Sequence, residues 1–192
     1  MQQSRRQYTL DDYLSLQRGI EVKLEYFNGE IYLMAGGSAG HNRISRNVLK
    51  LFDAALAGSS REAFGSDMRV STPSGLYTYP DASIVCGPKV SDASETISNT
   101  IVIVEVLSDS TRNYDRGEKF ELYRSIPALR HYLLIEQAFS HVEHRHLQTG
   151  GSWIDEIKDS PDQIVHLSEV GIDLQVARIY EGVEMASPRS SR

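Results

Sequence analysis

From Thr100 to Leu107 the chain reads Thr-Ile-Val-Ile-Val-Glu-Val-Leu, apolar and β-branched at nearly every position. A strand of that kind is covered on both faces, so the pattern predicts the centre of a sheet. Upstream, Thr9-Leu10-Asp11-Asp12 reads as a helix start: Thr9 can cap, and early acids suit the positive end of the helix dipole. That helix runs through Leu16 and ends near Gly19. Leu24 to Phe27 and Glu30 to Met34, joined by Asn28-Gly29, predict a hairpin, because Asn-Gly favours the tight turn that matches strand twist. The flexible stretch Ala35 to Gly40 leads into a helix from His41 to Ala57, with Ile44, Val48, Leu51 and Ala55 as its apolar stripe.

Two more strands are expected over Ala63 to Ser71 and Tyr77 to Val85, then a polar loop over Gly87 to Asn99. Asp115 to Arg124 reads as a helix stopped near Pro127, followed by strands over His131 to Glu136 and His141 to Leu147. Trp153 to Leu174 suggests an edge hairpin, and Val176 to Val183 a short closing helix. Strands before and after helices, with one central strand, predict an α/β (α+β) fold: a mixed central sheet flanked by helices.

At 192 residues the chain suits one domain, expected over residues 8–183 with disordered ends at 1–7 and 186–192. Hydrophobic content of 40% and charged content of 24% are ordinary for a globular protein. No apolar run approaches the roughly 20 residues a bilayer span needs. The basic start is followed by a polar stretch rather than a signal-peptide core. The lone Cys86 precludes an intrachain disulfide, reads as a small apolar residue closing a strand, and suits a reducing cytoplasm. The net charge of −6 argues against generic nucleic-acid binding, so any DNA contact must come through a local basic patch or bound cations.

Candidate chemistry concentrates where charge interrupts apolar strands. Asp81 follows Tyr79-Pro80, and Glu105 breaks the central run. An unpaired buried carboxylate is costly, so such groups are exposed, paired or bound to a cation. On neighbouring strands, Asp81 and Glu105 would supply oxygen ligands for Mg2+ or Mn2+. Lys119, in Asp115-Arg116-Gly117-Glu118-Lys119, brings a positive charge back towards them. These parts suit metal-assisted phosphodiester hydrolysis. Lys119 can equally be a solvated helix charge paired with Asp115 at i,i+4.

Pro80-Asp81 followed by Glu105 resembles the PD-(D/E)XK nuclease superfamily, the fold of many restriction endonucleases. The segments Leu24 to Glu30, Pro80-Asp81, Val104 to Ser108, and Asp115 with Lys119 and Tyr123 resemble, in order, the Uma family of restriction endonucleases. The resemblance runs from about Tyr8 to Tyr180 and implies a restriction-endonuclease-like fold and a Mg2+-dependent endonuclease acting on DNA. It implies Asp81 and Glu105 as metal ligands, Glu25 as an auxiliary acid at the metal, and Lys119 as the charge that orients the attacking water. The superfamily usually places a lysine two residues after the glutamate; here that position is Leu107, and the Uma resemblance carries the lysine displaced to Lys119. Superfamily members often pair, so a homodimer is one expectation.

Other polar groups have two readings. Arg43, Arg46 and Lys50, with His41 and Asn42 at the helix start, form either a phosphate-facing stripe or a solvated face. His141, His144 and His146 resemble a ligand set, but alternation divides them between faces, which disfavours one three-histidine site. Asp67 reads as structural. Two further functions compete with the nuclease: a catalytically silent nucleic-acid or protein-binding module on the same fold, and a metal-dependent hydrolase of a small phosphodiester.

Overall fold

Thr9 caps the first helix as its position demands. Its hydroxyl accepts from the Asp12 N–H and the Asp12 side chain returns to the Thr9 N–H, closing a capping box. In the computed structural model, which describes residues 7–34, 36–87 and 96–185, helix α1 (Leu10–Arg18) precedes the hairpin β1 (Leu24–Phe27) and β2 (Glu30–Leu33). Asn28 and Gly29 both take positive φ, 48° and 82°, as their turn requires. Helix α2 (Ala39–Leu56) follows, capped by the Ser38 hydroxyl. Of the expected disordered ends, only Gln7 falls within the described residues.

The next two expected strands each divide. A turn at Ser66-Asp67 separates β3 (Glu62–Gly65) from β4 (Arg69–Ser71), and a bend at Tyr79-Pro80-Asp81 separates β5 (Tyr77–Thr78) from β6 (Ala82–Val85). Pro80 has no N–H to continue a ladder, so the chain leaves one sheet there and enters another. Within the loop expected over Gly87 to Asn99, β7 (Thr96–Ile97) pairs in parallel with β4, and residues 88–95 lie outside the described residues. The central strand β8 (Thr100–Leu107) keeps its expected bounds and is buried throughout.

The expected Asp115 to Arg124 helix is two short ones, α3 (Arg112–Arg116) and α4 (Glu118–Tyr123), broken at Gly117. β9 (His131–Glu136), β10 (Val142–Leu147) and β11 (Trp153–Lys158) then extend the main sheet. The expected Trp153 to Leu174 hairpin does not form: β11 pairs with β10, while β12 (Ile164–Leu167) and β13 (Ile172–Gln175) make their own hairpin around a 3-10 turn at Ser168–Val170. The closing helix α5 covers only Val176–Ile179.

The main sheet has the order β11-β10-β9-β8-β6-β3, with β8 and β9 parallel and the other pairs antiparallel. The smaller sheet runs β2-β1-β5-β4-β7. Side chains alternating from β8 feed two cores. Val102, Val104 and Val106 pack with Ile44, Val48 and Phe52 of α2 and with the β12–β13 hairpin. Ile103 and Leu107 pack with Phe120 and Tyr123 of α4, Tyr132 and Leu134 of β9, and Val70 of the smaller sheet. The buried stripe of α2 therefore runs Ile44, Val48, Phe52, Leu56, whereas Leu51 is half-buried and Ala55 exposed.

Candidate active site

Glu105 shares a face of β8 with Ile103 and Leu107, so it enters the core beneath α4. Its neighbour on the sheet is set by register. Ala82 lies opposite Val104 in the antiparallel β6–β8 ladder, which brings the preceding residue, Asp81, beside Glu105. Because the bend at Pro80 ends the ladder there, the Val106 N–H has no strand carbonyl to meet. It donates instead to Asp81 Oδ2 at 2.7 Å. The other oxygen, Oδ1, lies 2.7 Å from His41 Nε2 at the start of α2.

Two other elements complete the cluster. From α4, Lys119 Nζ stands 2.9 Å from Glu105 Oε1, 3.2 Å from Glu25 Oε1 and 3.6 Å from Asp115 Oδ1. The smaller sheet delivers Glu25 on β1 and Thr78 on β5, whose hydroxyl donates to Glu25 Oε1. Tyr123, one turn beyond Lys119, donates its O–H to Glu105 Oε1 at 2.7 Å. The rings of Tyr114 and Tyr123 each lie 5.9 Å from the Lys119 ammonium.

Lys119 and Glu105 are each 5% exposed. The solvated position that the sequence allows for Lys119 is therefore replaced by burial among three carboxylates, Asp115 being one of them. Burial alone would lower the Lys119 pKa, but Glu105, Glu25 and Asp115 together hold it well above the usual lysine range. Burial pushes Glu105 up to about 8; Lys119 opposes that rise, and Asp115 and Asp81 add to it. Asp115 is raised, chiefly by burial. His41 is also raised, burial opposing, through its bond to Asp81. Four carboxylates thus surround one lysine and one histidine, an excess of negative charge that only protons or a further cation can relieve.

Asp81, Glu105, Glu25 and Lys119 are thus all brought to one place. Reading the sequence missed the way His41 engages Asp81, and the roles of Thr78 and Tyr114. His41 was visible only as a helix-start residue beside basic ones. The rest of that group does not converge here: Arg43, Arg46 and Lys50 lie on the exposed face of α2, and Arg43 Nη1 donates to the Gly182 carbonyl at 2.6 Å. Beside it, the Asn47 amide donates to the Ile179 and Glu181 carbonyls, so this part of α2 serves the turn after α5. His141, His144 and His146 do not form one site. His141 meets Asp159 at 2.5 Å, while His144 and His146 stack with His131. Asp67 is exposed and pairs with Lys23 at 2.7 Å. Cys86 is half-buried and accepts from Arg61 Nε at 3.4 Å. No helix among the described residues is long and apolar enough to cross a membrane.

The donor set at Asp81, Glu105 and Glu25 is all oxygen, which suits a hard divalent cation. Among the described residues, both polar contacts of Glu105 fall on Oε1. Asp81 accepts one hydrogen bond on each oxygen, and a carboxylate offers about four lone-pair sites, so ligand capacity is left over. Among the described residues no three His, Cys, Asp or Glu side chains are already gathered in a metal-holding geometry. The Lys119 ammonium stands between Glu25, Glu105 and Asp115 instead, as their counter-ion.

The mixed sheet with helices on both faces matches the fold of a solved structure. The crystal structure of a "putative nuclease belonging to DUF820" from Anabaena variabilis ATCC 29413 superposes with a TM-score of 0.74 over 90% of this chain and 97% of that one. At 17% identity the likeness is one of fold. Residues 10–177 match the Uma2 family, described as "Putative restriction endonuclease", and the chain belongs to that family. It is 35% identical over 174 residues to the uncharacterized protein slr1290 of Synechocystis sp. (strain ATCC 27184 / PCC 6803 / Kazusa), covering 90% of this chain and 91% of that one. To sll1609 of the same organism, also uncharacterized, it is 38% identical over 149 residues, 76% of this chain and 84% of that one.

Proposed function

We propose that this protein is a divalent-cation-dependent endonuclease hydrolysing DNA phosphodiester bonds, with Asp81, Glu105 and Glu25 as the acids that hold Mg2+ or Mn2+ and Lys119 as the catalytic cation. The observation that carries this reading is the buried Lys119–Glu105 pair at 2.9 Å, with Asp81 beside it and Glu25 at 3.2 Å from the same ammonium. A structural salt bridge needs one acid; several acids around one lysine are the arrangement expected where a second cation is to be admitted. A bound divalent ion would supply Lewis-acid polarisation of the phosphate and a more acidic water.

The chain's own groups do the rest. Asp81 is held at both oxygens by His41 and the Val106 N–H, so its direction is set before any ligand arrives. Tyr123 fixes Glu105 through Oε1. Lys119 keeps a full positive charge in a buried place, where it attracts a phosphate's non-bridging oxygens and the charge that develops on them, an interaction worth more out of water than in it. With Asp81, Glu105 and Glu25 holding the cation, Lys119, anchored on α4, would remain within reach of the substrate.

Supercoiled plasmid incubated with Mn2+ or Mg2+ should be nicked or linearised by the wild type and left intact by Asp81→Ala. One observation favours a second reading: the net charge is −6, and Arg43 of the α2 basic stripe is engaged by the Gly182 carbonyl. Retained DNA binding without cleavage, under every divalent ion tried, would select a catalytically silent binding module.

A further inference from the structure

His41 closes a circuit of hydrogen bonds around the end of the central strand. The Leu107 carbonyl accepts from Gln137 Nε2 at 2.9 Å, and Gln137 Oε1 accepts from the Ser38 hydroxyl at 2.5 Å. The Ser38 hydroxyl in turn accepts from the His41 N–H at 3.1 Å, while His41 Nε2 reaches Asp81 Oδ1 and Asp81 Oδ2 accepts from Val106 N–H. Starting at Leu107 and ending at Val106, the circuit joins β8, the residue after β9, the cap of α2 and the bend before β6. An ionised carboxylate only accepts, so His41 Nε2 carries the proton of that link.

The space around the ring is equally specific. A Cβ on Gly37 would stand 2.6 Å from His41 Cδ2 and 2.8 Å from Cγ, closer than any side chain tolerates. The backbone before α2 therefore lies directly on the imidazole and holds its plane. Neither the ring's position nor its partner is needed to cap α2, since Ser38 does that through the backbone.

We propose that His41 is a positioning residue for Asp81: resting on the cation-binding role assigned above, it donates through Nε2 to Oδ1 and turns the carboxylate so that its remaining lone pairs face the site. Hydrogen bonding of this kind behind a metal ligand typically governs affinity by about 10- to 100-fold. Gly37 belongs to the same device, as the residue whose missing side chain lets the ring lie in that orientation.

The test compares wild type, His41→Leu, His41→Gln and Gly37→Ala by two readouts. Calorimetric titration with Mn2+ should show affinity falling about 10- to 100-fold in His41→Leu, and falling also in Gly37→Ala, which leaves every polar group in place. His41→Gln, which keeps a donor, should recover part of the loss. Independently of metal, NMR should show the Val106 amide proton shifting and exchanging faster in His41→Leu and Gly37→Ala, while the Ile103 amide stays protected. Equal Mn2+ affinity in wild type and His41→Leu would overturn the positioning role and leave the metal site standing. An unmoved Val106 amide in both variants would overturn it as well. A wild type that binds no Mn2+ would remove the cation-binding reading itself, a distinguishable result.

Discussion

The carboxyl of Glu105 should make the resting protein less stable, and removing its charge should show it. Burial and the nearby Asp115 and Asp81 raise it from its ordinary 4.5 to about 8, against the pull of Lys119. Below pH 4.5 the group is protonated in the folded and unfolded chain alike and contributes no penalty. Between 4.5 and 8 the unfolded chain releases the proton while the folded chain retains it, so stability declines as pH rises, reaching its full deficit above about 8. At 1.36 kcal/mol per pH unit the span corresponds to a ceiling of roughly 5 kcal/mol. In Glu105→Gln the amide oxygen can still accept from Tyr123 and Lys119, although the attraction for the ammonium weakens. We expect a net stabilisation of about 1–3 kcal/mol at pH 8, vanishing towards pH 4.5, read from urea unfolding followed by circular dichroism at pH 5, 7 and 8.5. Saturating Mn2+ should restore stability to the wild type, about 2.7 kcal/mol at one hundred times Kd, and restore little to Glu105→Gln. A variant less stable than wild type at pH 8, or a difference that ignores pH, would refute the reasoning.

Lys119→Met should abolish most cleavage, by about 100- to 1000-fold, because a placed positive charge acts chiefly on the transition state. It should also destabilise the metal-free protein by about 3–5 kcal/mol, since it strands buried acids; an undisturbed unfolding midpoint would contradict the burial of Lys119. Tyr123→Phe removes the buried donor to Glu105 and should lower stability by about 1–3 kcal/mol, measured in the same urea titrations. Within β10, burial and the neighbouring His131 and His146 push His144, 3% exposed, down to about 3. Its ring Nε2 lies 2.9 Å from His131 Nδ1. The unfolded chain takes up this proton below about pH 6.5 and the folded chain does not, so stability present above 6.5 drains away as the pH falls. The loss should be about 2 kcal/mol at pH 5, and His144→Phe should flatten the stability profile between pH 7 and 5. An unchanged slope would show that other groups govern acid sensitivity.

Local physics made much of this protein legible in its sequence. Near-continuous apolarity marks β8, because a strand buried on both faces is apolar at almost every position. The Asn28-Gly29 turn and the Thr9–Asp12 capping box follow from backbone conformation and short-range hydrogen bonding. Asp81 and Glu105 stand out because a charge in an apolar strand demands a reason. What apolarity could not reveal was where strands break. Tyr77 to Val85 reads as one run, and only the two sheets competing for it show that Pro80 passes the chain from one to the other. That same break leaves the Val106 N–H without a carbonyl partner and gives Asp81 its hold.

Whether Lys119 was a solvated charge or a buried one likewise depended on packing. The i,i+4 spacing from Asp115 is the same in both cases, and only the arrival of Glu25 from the smaller sheet and Glu105 from the main one settles it. His41 shows the limit most plainly. As part of a sequence it neighbours Arg43 and suggests a basic stripe, yet the tertiary fold sends the two side chains to different partners, Asp81 and the Gly182 carbonyl. Residues two apart on a helix diverge by about 200° around its axis, and which of the two faces the site depends on how α2 is laid across the sheet.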